Sequence, residues 1–482
     1  MMWLWLILAA LAVFAVVLAA RAAACRPSGE HYGPREDIQV DGEGAVQRLA
    51  QLVRIPTVSD YDEAKVDEAQ FEKFREKLKE LYPAVHEACP PVLCRGEGRT
   101  TGLLFRWKGA SSAEPTVLMA HYDVVPVEEQ RWAHPPFCGE VFDGELWGRG
   151  TLDTKGTLCG ILEAAETLIN EGFAPQHDIY FSFAGDEEIM GDGAPQIVDV
   201  LEARHIRPAL VVDEGGAVVE HVFPGVDKPC ALIGIGEKGQ LEAEFSLHSQ
   251  GGHASSPPPH TPVGVLAQAV TAVEGRPFPM KLTPPAAEMF DTLGRHSTFV
   301  YRMIFANLWL FRPVLDALCK KQGGEMNALM RTTCAFTMME GSRQSNVIPP
   351  QAKVGANLRL IGGDTMESAL RYLRATVRNP DIDITAVQGM NPSPYSDTKG
   401  EGWQRLKTAI GQSWPEAIVS PYLMIACSDS RHFCRISDAV MRFSAMALSG
   451  EERALIHGNN ERIPVQKIAD TVAFYMRLIR LS

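Results

Sequence analysis

The chain has 482 residues, too many for one compact core, which predicts two or three domains. Its 46% hydrophobic content suits a globular protein, and a net charge of -13 without a basic run excludes a nucleic-acid partner. An acidic substrate would need local arginines, because the overall charge repels it.

Met1 to Ala20 carries no charged side chain and has about the length that crosses a bilayer core. A signal anchor, a signal peptide cut after Ala22-Ala23-Ala24, and a lipidated Cys25 all fit this segment. The expectation is membrane association or secretion, with the rest of the chain outside the cytoplasm, although Arg21 and Arg26 oppose export under the positive-inside tendency. Arg26 to Gln39 reads as a polar linker, and Asp41 to Tyr82 as helix interrupted at Pro56. Cys89 with Cys94, and Cys427 with Cys434, are close enough to pair, yet buried or free thiols fit the ten cysteines as well.

The next stretch carries the chemistry. Apolar runs end in His121-Tyr122-Asp123, in Gly185-Asp186-Glu187-Glu188 and in Val212-Asp213-Glu214, and read as buried parallel strands. Open α/β sheets place their chemistry at such carboxyl ends. Gly148-Arg149-Gly150-Thr151-Leu152-Asp153 and His457-Gly458-Asn459-Asn460-Glu461 add further donors. Singly, Asp153 reads as a helix N-cap, Glu187-Glu188 as solvated surface and His121 as a structural histidine. Jointly they read as a two-metal hydrolytic centre, in which ions about 3.5–4 Å apart share one bridging carboxylate, assigned to Asp153. Donors without thiolate suit two Zn²⁺ per chain, with Co²⁺ or Mn²⁺ able to substitute. Asp123 is expected to hold the other imidazole nitrogen of His121, and Glu187 to act as the general base.

From Glu237 the pattern changes to strand Leu241–His248, helix Pro262–Glu274, strands Thr332–Met339 and Ala352–Leu360, helix Met366–Val377 and strand Ile382–Gln388. This βαββαβ order predicts a ferredoxin-like lid inserted into the catalytic domain. The expected boundaries are residues 1–25 for the leader, 26–236 and 391–482 for the catalytic domain, and 237–390 for the lid. Within the lid, an apolar insertion at about 275–330 lines an acyl-chain pocket, enlarges the lid core or touches the bilayer.

The order HxD, GRGxxDxKG, GDEE, VDEGG and HGxNE resembles the co-catalytic zinc amidohydrolases that include aminoacylase and carboxypeptidase S. Pro135-Pro136-Phe137, Asn346-Val347-Ile348-Pro349-Pro350 and Ser428-Asp429-Ser430-Arg431-His432-Phe433 narrow the likeness to carboxypeptidase S and the N-fatty-acyl-amino-acid synthase/hydrolases. The resemblance implies an α/β zinc-peptidase domain with a mainly parallel sheet and a dimerising lid. It also implies that His121 and Asp213 complete one ion's shell and Glu188 and His457 the other's. His253, in Gly251-Gly252-His253-Ala254-Ser255, matches a residue that reaches the partner subunit's site to hold the oxyanion. Asn346 and Arg359 match anchors for the substrate's carboxylate, and Arg431 is a weaker match that equally suits a salt bridge with Asp429. The implied reaction is amide hydrolysis of long-chain N-acyl amino acids or of short peptides with a free carboxylate, with synthesis as its reverse. A membrane-tethered binding protein without turnover is the alternative, and the intact Glu187 argues against it.

Overall fold

The computed structural model describes residues 1–95 and 100–482. Its largest unit is an eight-stranded sheet in the order Val92–Arg95, Thr100–Trp107, His177–Ala184, Ser111–His121, Leu210–Val219, Val440–Leu448, Cys230–Glu237 and Ile418–Met424. The sheet is mixed. Ser111–His121 runs parallel to both neighbours, and Leu210–Val219 parallel to Val440–Leu448, so the centre follows the expected pattern. The first hairpin is antiparallel and adds an edge beyond it.

Burial explains the sequence pattern. Val117 to Ala120 and Ile179 to Phe183 are buried because helices cover the strands they occupy. Gly42–Val53, Lys155–Asn170 and Val465–Arg480 pack on one another and contribute to the main core. Across the sheet, Gly193–Ala203 contributes Ile197, Val198 and Leu201 to a core with Val117, Met119 and Val211.

The segment beginning at Gly239 forms a separate four-stranded antiparallel sheet in the order Thr333–Glu340, Gln351–Leu360, Gly239–His248 and Asp383–Met390. Numbered along this segment the order is 2-3-1-4, that of a ferredoxin-like unit. Helices Pro262–Glu274 and Met366–Val377 supply Leu266, Ala269, Val273, Ala369 and Leu373 to its own core.

The apolar insertion packs beside the catalytic sheet. Sequence order groups it with the lid, but Met289, Phe290, Leu293 and Phe305 join Phe223, Ile418, Tyr422 and Leu423 from the catalytic sheet side. Helix Pro284–His296 packs on strand Ile418–Met424, so large apolar side chains fill the sheet's outer end rather than enlarging the lid core. All ten cysteines are unpaired thiols, as the free-thiol reading allows. Met2–Ala24 is one apolar helix, long enough by length and composition to cross a membrane, and a signal sequence passes the same test.

Candidate metal centre

Parallel pairing aligns the carboxyl ends of the central strands. His121 is in register with Ala184, immediately before Gly185-Asp186-Glu187-Glu188, and Leu118 with Val212, just before Asp213-Glu214. The Asp153 and His457 loops come from a three-stranded sheet, where Arg462–Pro464 pairs antiparallel with Glu145–Trp147. Residues far apart in sequence thus meet at one sheet edge.

Asp153 lies between the two imidazoles. Its Oδ1 is 2.8 Å from His121 Nε2, and its Oδ2 is 3.0 Å from His457 Nε2. His457 Nε2 is also 3.0 Å from Glu188 Oε2. Donor atoms of His121, Asp153 and Glu188, and those of His121, Glu187 and Glu214, form two groups within 4.8 Å. The hydrogen bonds to Asp153 and Glu188 raise the His457 pKa to about 10. Burial pushes Glu187 and Glu214 well above the ordinary carboxylate range, and neighbouring negative charge, Glu214 beside Glu187 and Asp153 beside Glu214, pushes further.

Asp123 fixes the far side of His121. Its Oδ1 is 3.2 Å from His121 Nδ1, which leaves Nε2 aimed at Asp153. Asp123 also accepts the backbone N–H groups of Glu187 at 3.2 Å and Glu188 at 3.1 Å, and the Ser59 hydroxyl at 2.7 Å. One buried carboxylate therefore orients both the imidazole and the Glu187-Glu188 turn. Sequence reading missed Ser59, which reaches Asp123 through the parallel bridge between Val58 and Val124.

Glu461 performs the same service for the other two loops. Its Oε1 accepts from the backbone of Gly150 at 3.0 Å, Leu152 at 2.8 Å and Asp153 at 3.3 Å. Its Oε2 takes a 2.6 Å bond from Arg149, whose other nitrogen reaches the Gly458 carbonyl at 2.9 Å. The Arg in GRGxxD and the Glu in HGxNE are partners in a buried ion pair that ties Asp153 to His457.

Asp213 is tied to the loop that carries Ser430. Its Oδ2 accepts the Ser430 N–H at 2.9 Å, and Glu214 Oε1 instead lies 3.7 Å from His121 Nε2. Consecutive strand residues point to opposite faces, so one of the pair must turn away from His121. Asp429 was considered only as a salt-bridge partner, but it is buried, and burial followed by Asp213 pushes its carboxyl up.

The lid candidates form a second group. His253 and Asn346 meet on the short ladder between Gly252–His253 and Val347–Ile348, where Asn346 O accepts from Ala254 N at 2.9 Å. Both are exposed, and the hydrogen bonds of His253 Nδ1 come from Ser255. Arg359 reaches across to Cys427 Sγ at 3.5 Å. Arg431 donates to Asn391 O at 2.8 Å and lies 3.7 Å from Glu237, so its ionic partner is Glu237 rather than Asp429. Arg359 and Arg431 thus flank the loop that holds Asp213.

Residues 117–481 match the peptidase family M20/M25/M40. The chain belongs to this family. It is 36% identical over 442 residues, 90% of this chain and 84% of the relative, to a probable carboxypeptidase S-like 2 of Dictyostelium discoideum. It is 35% identical over 441 residues, 91% of this chain and 85% of the relative, to the N-fatty-acyl-amino acid synthase/hydrolase PM20D1 of Xenopus tropicalis. In fold it is similar to the M20 metallo-carboxypeptidase Sso-CP2 of Sulfolobus solfataricus, with TM-score 0.64, 18% identity and coverage of 91% of this chain and 98% of that one. A dinuclear metal-binding M20 peptidase of Bacillus subtilis gives TM-score 0.56 at 12% identity, covering 91% and 98%. As an M20 metallopeptidase, this chain is an enzyme of amide-bond hydrolysis. Its donor set fits a dinuclear metal site, because crowded carboxylates raised by burial and mutual repulsion are those that divalent cations relieve.

Proposed function

We propose that the centre hydrolyses the amide bond of N-acyl amino acids, with long acyl chains preferred, using two zinc ions. The observation that carries this reading is Asp153, whose two oxygens face the two imidazoles while Glu187 stands beside them. In this assignment His121, Asp153 and Glu214 would hold one ion, and Asp153, Glu188 and His457 would hold the other. Bound there, the ions supply a water of lowered pKa and polarise the amide carbonyl. Asp123 keeps the His121 ring and the Glu187 backbone in place. Glu187 accepts the water's proton and passes it to the leaving nitrogen. Arg359, with its planar fork, binds the substrate's carboxylate together with Asn346, and Arg431 borders the same loop.

The relatives' synthase/hydrolase names support a fatty acyl group. The zinc-loaded protein is expected to favour N-oleoyl over N-acetyl amino acids by at least about tenfold in kcat/KM, which two or so buried methylenes supply. Faster cleavage of dipeptides would make it a carboxypeptidase instead. The ligand assignment has its own test: Glu214→Gln should lower the metal content measured by atomic emission, and Asp213→Asn should lower it less. The reverse order would return the role to Asp213.

We propose further that the lid pairs two copies and that His253 serves the partner's site. Subunit exchange between inactive His253→Ala and Glu187→Gln proteins should then restore up to about a quarter of wild-type activity, because half the dimers are mixed and one of two sites in each is complete. Verified mixed dimers without recovered activity would assign His253 to its own chain.

A further inference from the structure

Helices Phe299–Phe305 and Leu308–Gln322 have two unlike faces. Phe305 and Cys319 turn inward, with the Phe305 ring tilted against Phe223 at 4.6 Å and stacked on Phe290 at 5.8 Å. Phe299, Val300, Tyr301, Trp309, Val314 and Leu318 turn outward, with Val300 70% and Trp309 62% exposed. The same stretch carries Arg302, Arg312, Lys320 and Lys321 against the single acid Asp316, in a chain whose net charge is -13. Asp316 is itself paired to Arg331 and Lys320. Aromatic and aliphatic side chains ringed by Lys and Arg are the pattern of a helix lying in a lipid headgroup layer.

The apolar N-terminal helix ends on this patch. Arg21 Nε donates to Asn307 Oδ1 at 3.0 Å, Asn307 Nδ2 donates to the Leu18 carbonyl at 3.2 Å, and Asn307 is fully buried by these contacts. Phe14 meets Trp309 edge-on at 6.2 Å. From Arg21 back to Phe14 is seven residues, or about 10 Å of helix. With Arg21 at the headgroups, Trp309 lies at roughly the 5–10 Å depth that interfacial helices reach.

We propose that Phe299–Phe305 and Leu308–Gln322 are a second membrane-contact element, seated in an anionic bilayer surface beside the N-terminal helix. The inference rests on Met2–Ala24 residing in the membrane. Charge complementarity and continuity with that helix select lipid over a second copy of the chain. The amphiphilic substrate class proposed above would then be met at the surface where it partitions.

The full chain is reconstituted in vesicles of phosphatidylcholine and phosphatidylglycerol carrying a phospholipid with an acyl-chain diazirine, irradiated, and mapped by peptide mass spectrometry. Adducts are expected both in Met2–Ala24 and between residues 299 and 318, and the latter should weaken in vesicles of phosphatidylcholine alone. Trp309→Glu with Leu318→Glu should lower labelling of 299–318 about tenfold, equivalent to ~1.4 kcal/mol, while the N-terminal helix stays labelled. Val314→Glu, a single exposed change, should act in the same direction should the double variant misfold. Adducts in the N-terminal helix alone overturn the second element and leave the first contact standing. Adducts in neither segment overturn both, and chain-to-chain cross-links through 299–318 in place of lipid adducts identify a dimer face and overturn the proposal.

Discussion

Glu187→Gln is expected to lower kcat by about 10²- to 10⁴-fold with little change in metal content. The amide keeps the shape of the side chain and removes its capacity to accept the water's proton. Glu188→Gln should behave differently, because Glu188 Oε2 lies 3.0 Å from His457 Nε2 on the Asp153 side of the centre. Metal should fall along with activity in that variant. Both are read by steady-state kinetics and metal analysis on the same preparations, and equal metal loss in the two would mean that the base and the ligand have been exchanged. A parallel change at Asp123 is expected to weaken metal binding about 10- to 100-fold, since it holds the imidazole rather than the ion.

Arg149→Met is expected to destabilise the chain by about 3–5 kcal/mol, read as a shift in the urea unfolding midpoint. The guanidinium is the ionic partner of Glu461, both groups are buried, and its removal leaves a carboxylate without a counter-charge. Burial already pushes Glu461 above its ordinary pKa, and Arg149 is the first group that pulls it back. Without Arg149 the folded-state pKa rises further above the unfolded value, so the folded protein binds the extra proton. The deficit should therefore grow as pH rises above the ordinary carboxyl range, and shrink as pH falls into it, where both states are protonated. Arg149→Met combined with Glu461→Gln should recover part of the loss at neutral pH, because the neutral amide still accepts the Leu152 and Asp153 N–H groups. A loss below about 1 kcal/mol in the single variant would show that the pair does not organise the loops.

The parts legible in the sequence are those with a local signature. Apolar runs ending in His121, Glu187-Glu188 and Asp213-Glu214 marked parallel strands, and all three proved adjacent in one sheet. The helices Pro262–Glu274 and Met366–Val377 were readable to the residue because Thr261 and Thr365 cap them with side-chain bonds. What was not legible depends on orientation or on distant partners. A strand ending in two acids and two glycines does not say which carboxylate faces His121; Glu214 lies 3.7 Å from its Nε2, while Asp213 accepts the Ser430 N–H. Ser59 and the Arg149–Glu461 pair act across 64 and 312 residues, and nothing local to either end announces the other. The packing of the insertion was illegible for the same reason: its composition shows that it is apolar, and its packing partners at Phe223 and Ile418 to Leu423 lie outside it.

Glu461 stands 312 residues after Arg149, and this separation sets an order of events during synthesis. At roughly 5–20 residues per second, the ribosome takes about 15–60 s to travel from one to the other. From the emergence of Glu214 onward the chain carries His121, Asp153, Glu188 and Glu214 but neither the second imidazole nor the strand Arg462–Pro464 that docks its loop. The pairing of Asp153 with His457 therefore waits until Arg462–Pro464 has been made and has docked on Glu145–Trp147.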